Sequence, residues 1–165
     1  MSSASNPSSP LAATVIAGLA GGLVASVAMN LFQAATASAF GQTGSNDDPS
    51  NIKAADSAKQ LVGGEPVTQK HRERAGSLVH YTTGAALGIG YALLARSRPE
   101  ATAGFGIPFG LGVAVLLDDA VVPAFGWGPG PTDTPPATHA YGLASHAVFG
   151  AALEGTRRMV DKALA

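Results

Sequence analysis

Two histidines seven residues apart, His139 and His146, and two adjacent aspartates, Asp118 and Asp119, are the residues of this chain best suited to move a proton. Imidazole changes charge near neutral pH, and a carboxylate beside it offers a second site for the same proton. At about 100° per residue, seven steps along a helix return His146 to nearly the face of His139. The two aspartates point about 100° apart, so at most one of them faces the imidazoles directly. We expect that one to be Asp119, paired with His146 or His80, with Asp118 facing the outer boundary or a loop. A metal is the other chemistry open to these types, since His80, His139 and His146 with an aspartate form a ligand set for zinc or iron, and a histidine pair can hold a haem. No cofactor is expected, and the residue types alone leave the metal undecided.

The elements that position these groups follow from composition. The 165 residues are 46% hydrophobic and 13% charged, against about 25% charged in an ordinary soluble domain. Glycine, enriched in membrane helices, occurs 21 times. Four segments carry the roughly 20 apolar residues that a bilayer crossing needs. They run from Leu11 to about Phe32, from about Ala75 to Ala95, from about Ala101 to Val122, and from about Thr138 to Thr156. The first and third lack the polar stripe of a soluble amphipathic helix. The fold expected is therefore all-α, a four-helix transmembrane bundle over residues 11–165 behind a disordered Ser/Pro-rich tail, Met1–Pro10. A short extra helix is expected in the first loop, begun by an Asp48 cap with Pro49 at its first position and ended at Gly63-Gly64. Its apolar face is thin: Ile52, Ala55 and Val62. Ala37-Ser38-Ala39 imitates a signal-peptidase site, but no Lys or Arg precedes Leu11 and the apolar run is long, so no cleavage is expected.

Small residues recur at intervals of four: Gly18 and Gly22, Gly84 and Gly88, Gly106 and Gly110. Such pairs let helix backbones approach closely inside lipid. Basic residues favour cytoplasmic termini. Arg96 and Arg98 lie in one short loop, Arg157, Arg158 and Lys162 lie in the tail, and the loop from Gly126 to His139 has neither Lys nor Arg. Lys53, Lys59, Lys70, Arg72 and Arg74 in the first loop run against this orientation.

With the spans laid antiparallel, Asn30, Gln33, His80, Asp118, Asp119, His139 and His146 all fall in one half of the bundle. The opposite half offers Glu154 near Arg157 and Arg158, which reads as an interfacial ion pair. Ionisable groups at membrane depth are expensive and face the bundle interior or a wet cavity. Interior hydrogen bonding alone also accounts for such groups, His139 reads equally as a cap beside the Pro-rich loop, and His80 with Tyr81 as an interfacial anchor.

The stretches "HYTTGAALGIGYALL", "LLDDAVVPAFG" and "PPATHAYGLASHAVFGAALEGTRR" resemble the YagU-like inner-membrane proteins, a family of unknown function. The resemblance runs from about residue 11 and is strongest over the last three spans. It implies a small multi-pass protein of the bacterial inner membrane, and no established reaction.

Zero cysteines exclude disulfides and thiolate chemistry, and a formal net charge of −1 gives no basic field for nucleic acid. No phosphate-binding loop, zinc-protease or nucleophile-elbow motif is present. The first functional expectation is a non-enzymatic membrane protein that handles protons or a small cation through the His/Asp cluster. The alternative is an accessory subunit that packs against itself or a larger membrane complex. A metal or haem protein comes third. The bilayer is the one partner all three share.

Overall fold

A computed structural model of the chain describes residues 10–42 and 48–164. Most of the expected Met1–Pro10 tail lies outside them. Among the described residues the secondary structure is helical throughout, with no strand. The elements are α1 (Pro10–Thr36), α2 (Ser50–Leu61), a 3-10 turn (Gln69–His71) that leads into α3 (Arg72–Ser97), a second 3-10 stretch (Pro99–Gly106), α4 (Ile107–Ala114), a π-helical segment (Val115–Val121) that runs into α5 (Val122–Ala124), and α6 (Pro136–Leu164).

Among the described residues three segments are long and apolar enough to cross a membrane: Leu11–Thr36, Gln69–Ser97 and Pro99–Ala124. The fourth expected span is a helix, but it is not among them. Within α6, His139, Tyr141, Ser145, His146 and Glu154 interrupt the apolar run. The third span also differs at its start. Ala103, Gly104 and Phe105 leave the helical conformation, and Gly104, Phe105 and Gly106 all take positive φ. Regular α-helix begins only at Ile107. Left-handed backbone is inexpensive for glycine and unusual for phenylalanine.

Helix α6 occupies the middle of the bundle, packed against α1 on one side and α4 on the other, while α3 packs on α1. The core is a small cluster of Ala25, Met29, Tyr91, Phe149 and Leu153. Much of the remaining packing is backbone against backbone. A methyl group built on Gly18 would lie 2.6 Å from the Gly88 carbonyl oxygen, and one on Gly22 would overlap that of Gly84. Across the bundle, Gly106 and Gly110 of the third segment meet the Gly150 and His146 carbonyls of α6 in the same way. The outward face of α1 is apolar and exposed, with Ile16, Leu19, Leu23, Val24, Val27 and Leu31 uncovered.

The short extra helix is present as α2, but its cap is not the expected one. Pro49 takes the N-cap position without a side-chain hydrogen bond. Asp48 pairs instead with Arg72, which also reaches Asp56 at 3.2 Å. Proline lacks the free N–H and side-chain acceptor of a capping residue, so the helix is tied down by tertiary contacts. Asn51 donates to the Gly76 carbonyl at 3.1 Å, Trp127 donates to Ser57 Oγ at 2.9 Å, and Ile52 and Ala55 are buried. Val62, expected on the apolar face, is exposed. Helix α2 therefore lies across the end of the bundle that carries the histidines.

The Gly18/Gly22 to Gly84/Gly88 crossing gives a direct expectation. Gly88→Leu should lower stability by roughly 1–3 kcal/mol through overpacking. Gly90→Leu, a position where an added methyl meets nothing within 4 Å, should leave it nearly unchanged. Thermal unfolding of both variants in one detergent decides; equal midpoints would place the α1–α3 contact elsewhere.

Candidate functional site

Pro123 cannot donate the α-helical hydrogen bond to the Asp119 carbonyl. Just before it the helix widens into the π-helical turns of Val115–Val121. A π turn inserts an extra residue and re-aims what it carries. Both aspartates then meet α6. Asp118 Oδ2 lies 3.3 Å from His146 Nε2, and Asp119 Oδ1 lies 3.5 Å from His139 Nδ1. The order suits antiparallel helices, with the later aspartate meeting the earlier histidine. The expected pairing of Asp119 with His146 or His80 is thus reversed. The expectation assumed α-helical geometry, which the π turns replace.

The two pairs occupy different surroundings. His139 is at the rim, where Nε2 donates to the Pro131 carbonyl at 2.9 Å, so it secures the Pro-rich loop. His146 is buried, and its Nδ1 has no partner among the described residues. The Asp118 side chain is 48% exposed. Gly142 leaves it room: a methyl there would stand 3.3 Å from Asp118 Oδ2. His80 is partly buried on α3, where Nε2 donates to the Ser26 carbonyl at 3.4 Å and the ring meets Tyr81 edge-on.

His80, Asp118 and His146 line one cleft of about 480 Å³ among α1, α3, the π-helical segment and α6. Pro49, Ser50, Asn51 and Ala54 of α2 and the ring of Trp127 complete its wall. Gln33 also lines it, whereas Asn30 donates to the Tyr81 hydroxyl at 3.2 Å. Asp119 and His139 are not part of the lining. The three imidazoles therefore have separate partners, and among the described residues no three His, Asp or Glu side chains gather as a metal site. The zinc or iron ligand set outlined from the sequence is not gathered among the described residues.

At the other end, Glu154 is fully buried rather than interfacial. Arg157 grips it through two hydrogen bonds, Nε to Oε2 at 2.7 Å and Nη2 to Oε1 at 2.9 Å. Arg158 Nε donates to Oε1 at 2.5 Å, and the buried Tyr91 hydroxyl donates to Oε2 at 3.0 Å. Arg157 continues to Asp161 at 2.5 Å, and Arg158 sits over the Phe105 ring, 5.0 Å from its centroid. Four donors on one carboxylate satisfy it, so this end ties α3 to α6 and leaves no reactive group free. Tyr91 was not singled out as a site residue by the sequence. Its place on α3, opposite the Glu154 level of α6, is the signal that marks it.

The described residues define an all-helical protein with three membrane-compatible helices and, at one end, a mostly apolar cleft that holds a carboxylate and two imidazoles. Residues 64–155, more than half of the chain, match the family described as protein of unknown function (DUF1440), and the chain belongs to that family. The matched stretch holds His80, Tyr91, Asp118, Asp119, His139, His146 and Glu154 but not α1, so it is narrower than the resemblance from residue 11 suggested. No curated protein and no solved structure matches the chain.

The two carboxylate sites should respond unequally to truncation. Glu154→Ala removes the buried carboxylate that Tyr91, Arg157 and Arg158 share and leaves Arg157 with Asp161 alone, which should cost about 3–5 kcal/mol. Asp118→Ala removes a half-exposed partner and should cost at most about 1 kcal/mol. Unfolding of the two variants in detergent measures this; a larger loss for Asp118→Ala would make the cleft, not the Glu154 cluster, the structural tie.

Proposed function

We propose that this chain is a multi-pass protein of the bacterial inner membrane, as its YagU-like stretches imply, and that it handles protons or a small cation through the Asp118–His146 pair. In this reading α6 crosses the bilayer too, shielded by α1 and α4, with its polar groups turned to partners inside the bundle. Both termini are cytoplasmic, so the cleft opens toward the outer side. The exposed apolar face of α1 meets lipid. The role is non-enzymatic.

One observation carries the proposal. A buried imidazole with one bare nitrogen is joined through its other nitrogen to a half-exposed carboxylate that lines a cleft. A neutral imidazole donates from one nitrogen and accepts at the other. Asp118 can therefore exchange a proton with solvent and pass it to His146. The Glu154 cluster offers no such route, because its carboxylate oxygens are taken by Arg157, Arg158 and Tyr91.

Protein reconstituted into vesicles holding a pH-sensitive dye tests this. Under an imposed proton gradient the wild type should acidify the lumen faster than empty vesicles. Asp118→Asn and His146→Ala should each remove most of the difference, and Asp119→Asn should keep it. Wild-type vesicles that behave as empty ones, or an Asp119 requirement in place of Asp118, would overturn the proposal.

A further inference from the structure

We infer that the cleft binds an organic cation, an ammonium group carried on an apolar body, with Asp118 as its counter-charge. The inference deepens the reading just given, on which it rests for the choice of site, and it commits to the class of cation.

The sign follows from the lining. Asp118 faces the cleft, and no lysine or arginine does. One carboxylate oxygen takes His146, while Oδ1 accepts no hydrogen bond among the described residues. An unbalanced, half-exposed carboxylate in a mostly apolar recess attracts positive charge.

The class follows from what else is there. A hard inorganic cation is held by about six to eight oxygens at short range, and no acidic cluster capable of that forms among the described residues. A cleft of about 480 Å³ is far larger than such an ion, and it lies in the range of roughly 300–1,000 Å³ typical of small-molecule sites. Its walls include Met29, Leu87, Leu117, Val121, Phe149 and the Trp127 ring. Aliphatic and aromatic surface around one carboxylate suits a group whose charge is diffuse and weakly hydrated. Alkylammonium ions meet that description, and aromatic faces stabilise them further.

Trp127 is the one tryptophan of the chain and lines the cleft, so its fluorescence reports occupancy. Detergent-purified protein titrated with benzyltrimethylammonium chloride should show a saturable change. Sodium chloride at equal ionic strength and uncharged benzyl alcohol should not produce it. Asp118→Asn should weaken binding by about tenfold or more, equivalent to ~1.4 kcal/mol. Thr83→Phe, which fills the cleft but keeps the carboxylate, should abolish binding, and Asp119→Asn should bind as the wild type does. Circular dichroism confirms that each variant is folded. Absence of a saturable signal in the wild type, or undiminished binding by folded Asp118→Asn or Thr83→Phe, overturns the inference. The vesicle assay separates the two ideas. Asp118-dependent acidification without ammonium binding would leave the proton reading standing and sink this one. Ammonium binding without acidification would do the reverse.

Discussion

The structure depends on helix axes close enough for backbones to touch. Gly18 and Gly22 lie against Gly88 and Gly84, and Gly106 and Gly110 lie against Gly150 and the His146 carbonyl. The atoms that meet at these crossings are mostly backbone, with the small groups of Ser26 and Ala92 and the Glu154 Cβ beside them. Inside lipid the hydrophobic effect supplies little attraction between helices, and close packing takes its place. The core is correspondingly small, with a few large side chains such as Tyr91, Phe149 and Leu153 set among alanines and glycines. The second crossing also fixes the chemistry. It seats the third segment on α6 at the level of His146, so the aspartates that follow have an imidazole within reach.

The two ends of the bundle treat ionisable groups in opposite ways. Glu154 is buried and saturated by Tyr91, Arg157 and Arg158. Such an arrangement is rigid and chemically quiet. Asp118 and His146 are left incomplete, the carboxylate half in solvent and the imidazole with a bare nitrogen. An unsatisfied buried polar group costs about 1–3 kcal/mol, and a saturated tie at one end can offset an unsaturated site at the other. Helix α2 adds a wall to the open end through Asn51, while Trp127 joins that wall to the loop before α6 by its bond to Ser57.

Much of this was legible in the residue string. Apolar runs placed the helices, and the four-residue glycine spacing placed the crossings, because both signals are local and periodic. Depth alone grouped His80, Asp118, Asp119, His139 and His146, and it did not separate the three that line the cleft from the two that do not. Finer features depended on backbone departures that periodicity does not encode. The π turns before Pro123 moved the pairing with His146 from Asp119 to Asp118. The left-handed turn at Gly104–Gly106 shortened the third helix and set Phe105 under Arg158. Pro123 and the two glycines flanking Phe105 are visible marks of those departures, but neither fixes the geometry by itself. Asp48 looked like a cap because its position was right, yet Arg72, distant in sequence, claims it.

The chemistry of the cleft turns on which aspartate serves His146. A double-mutant cycle in detergent or lipid measures that coupling, with Asn replacing each aspartate and Ala replacing His146. Residues in direct contact show interaction energies of about 0.5–3 kcal/mol, and independent sites add to within about 0.5 kcal/mol. The Asp118/His146 cycle should fall in the coupled range, and the Asp119/His146 cycle should be additive. Coupling confined to Asp119 would mean that the helix keeps α-helical register through this region, and would contradict the site described here.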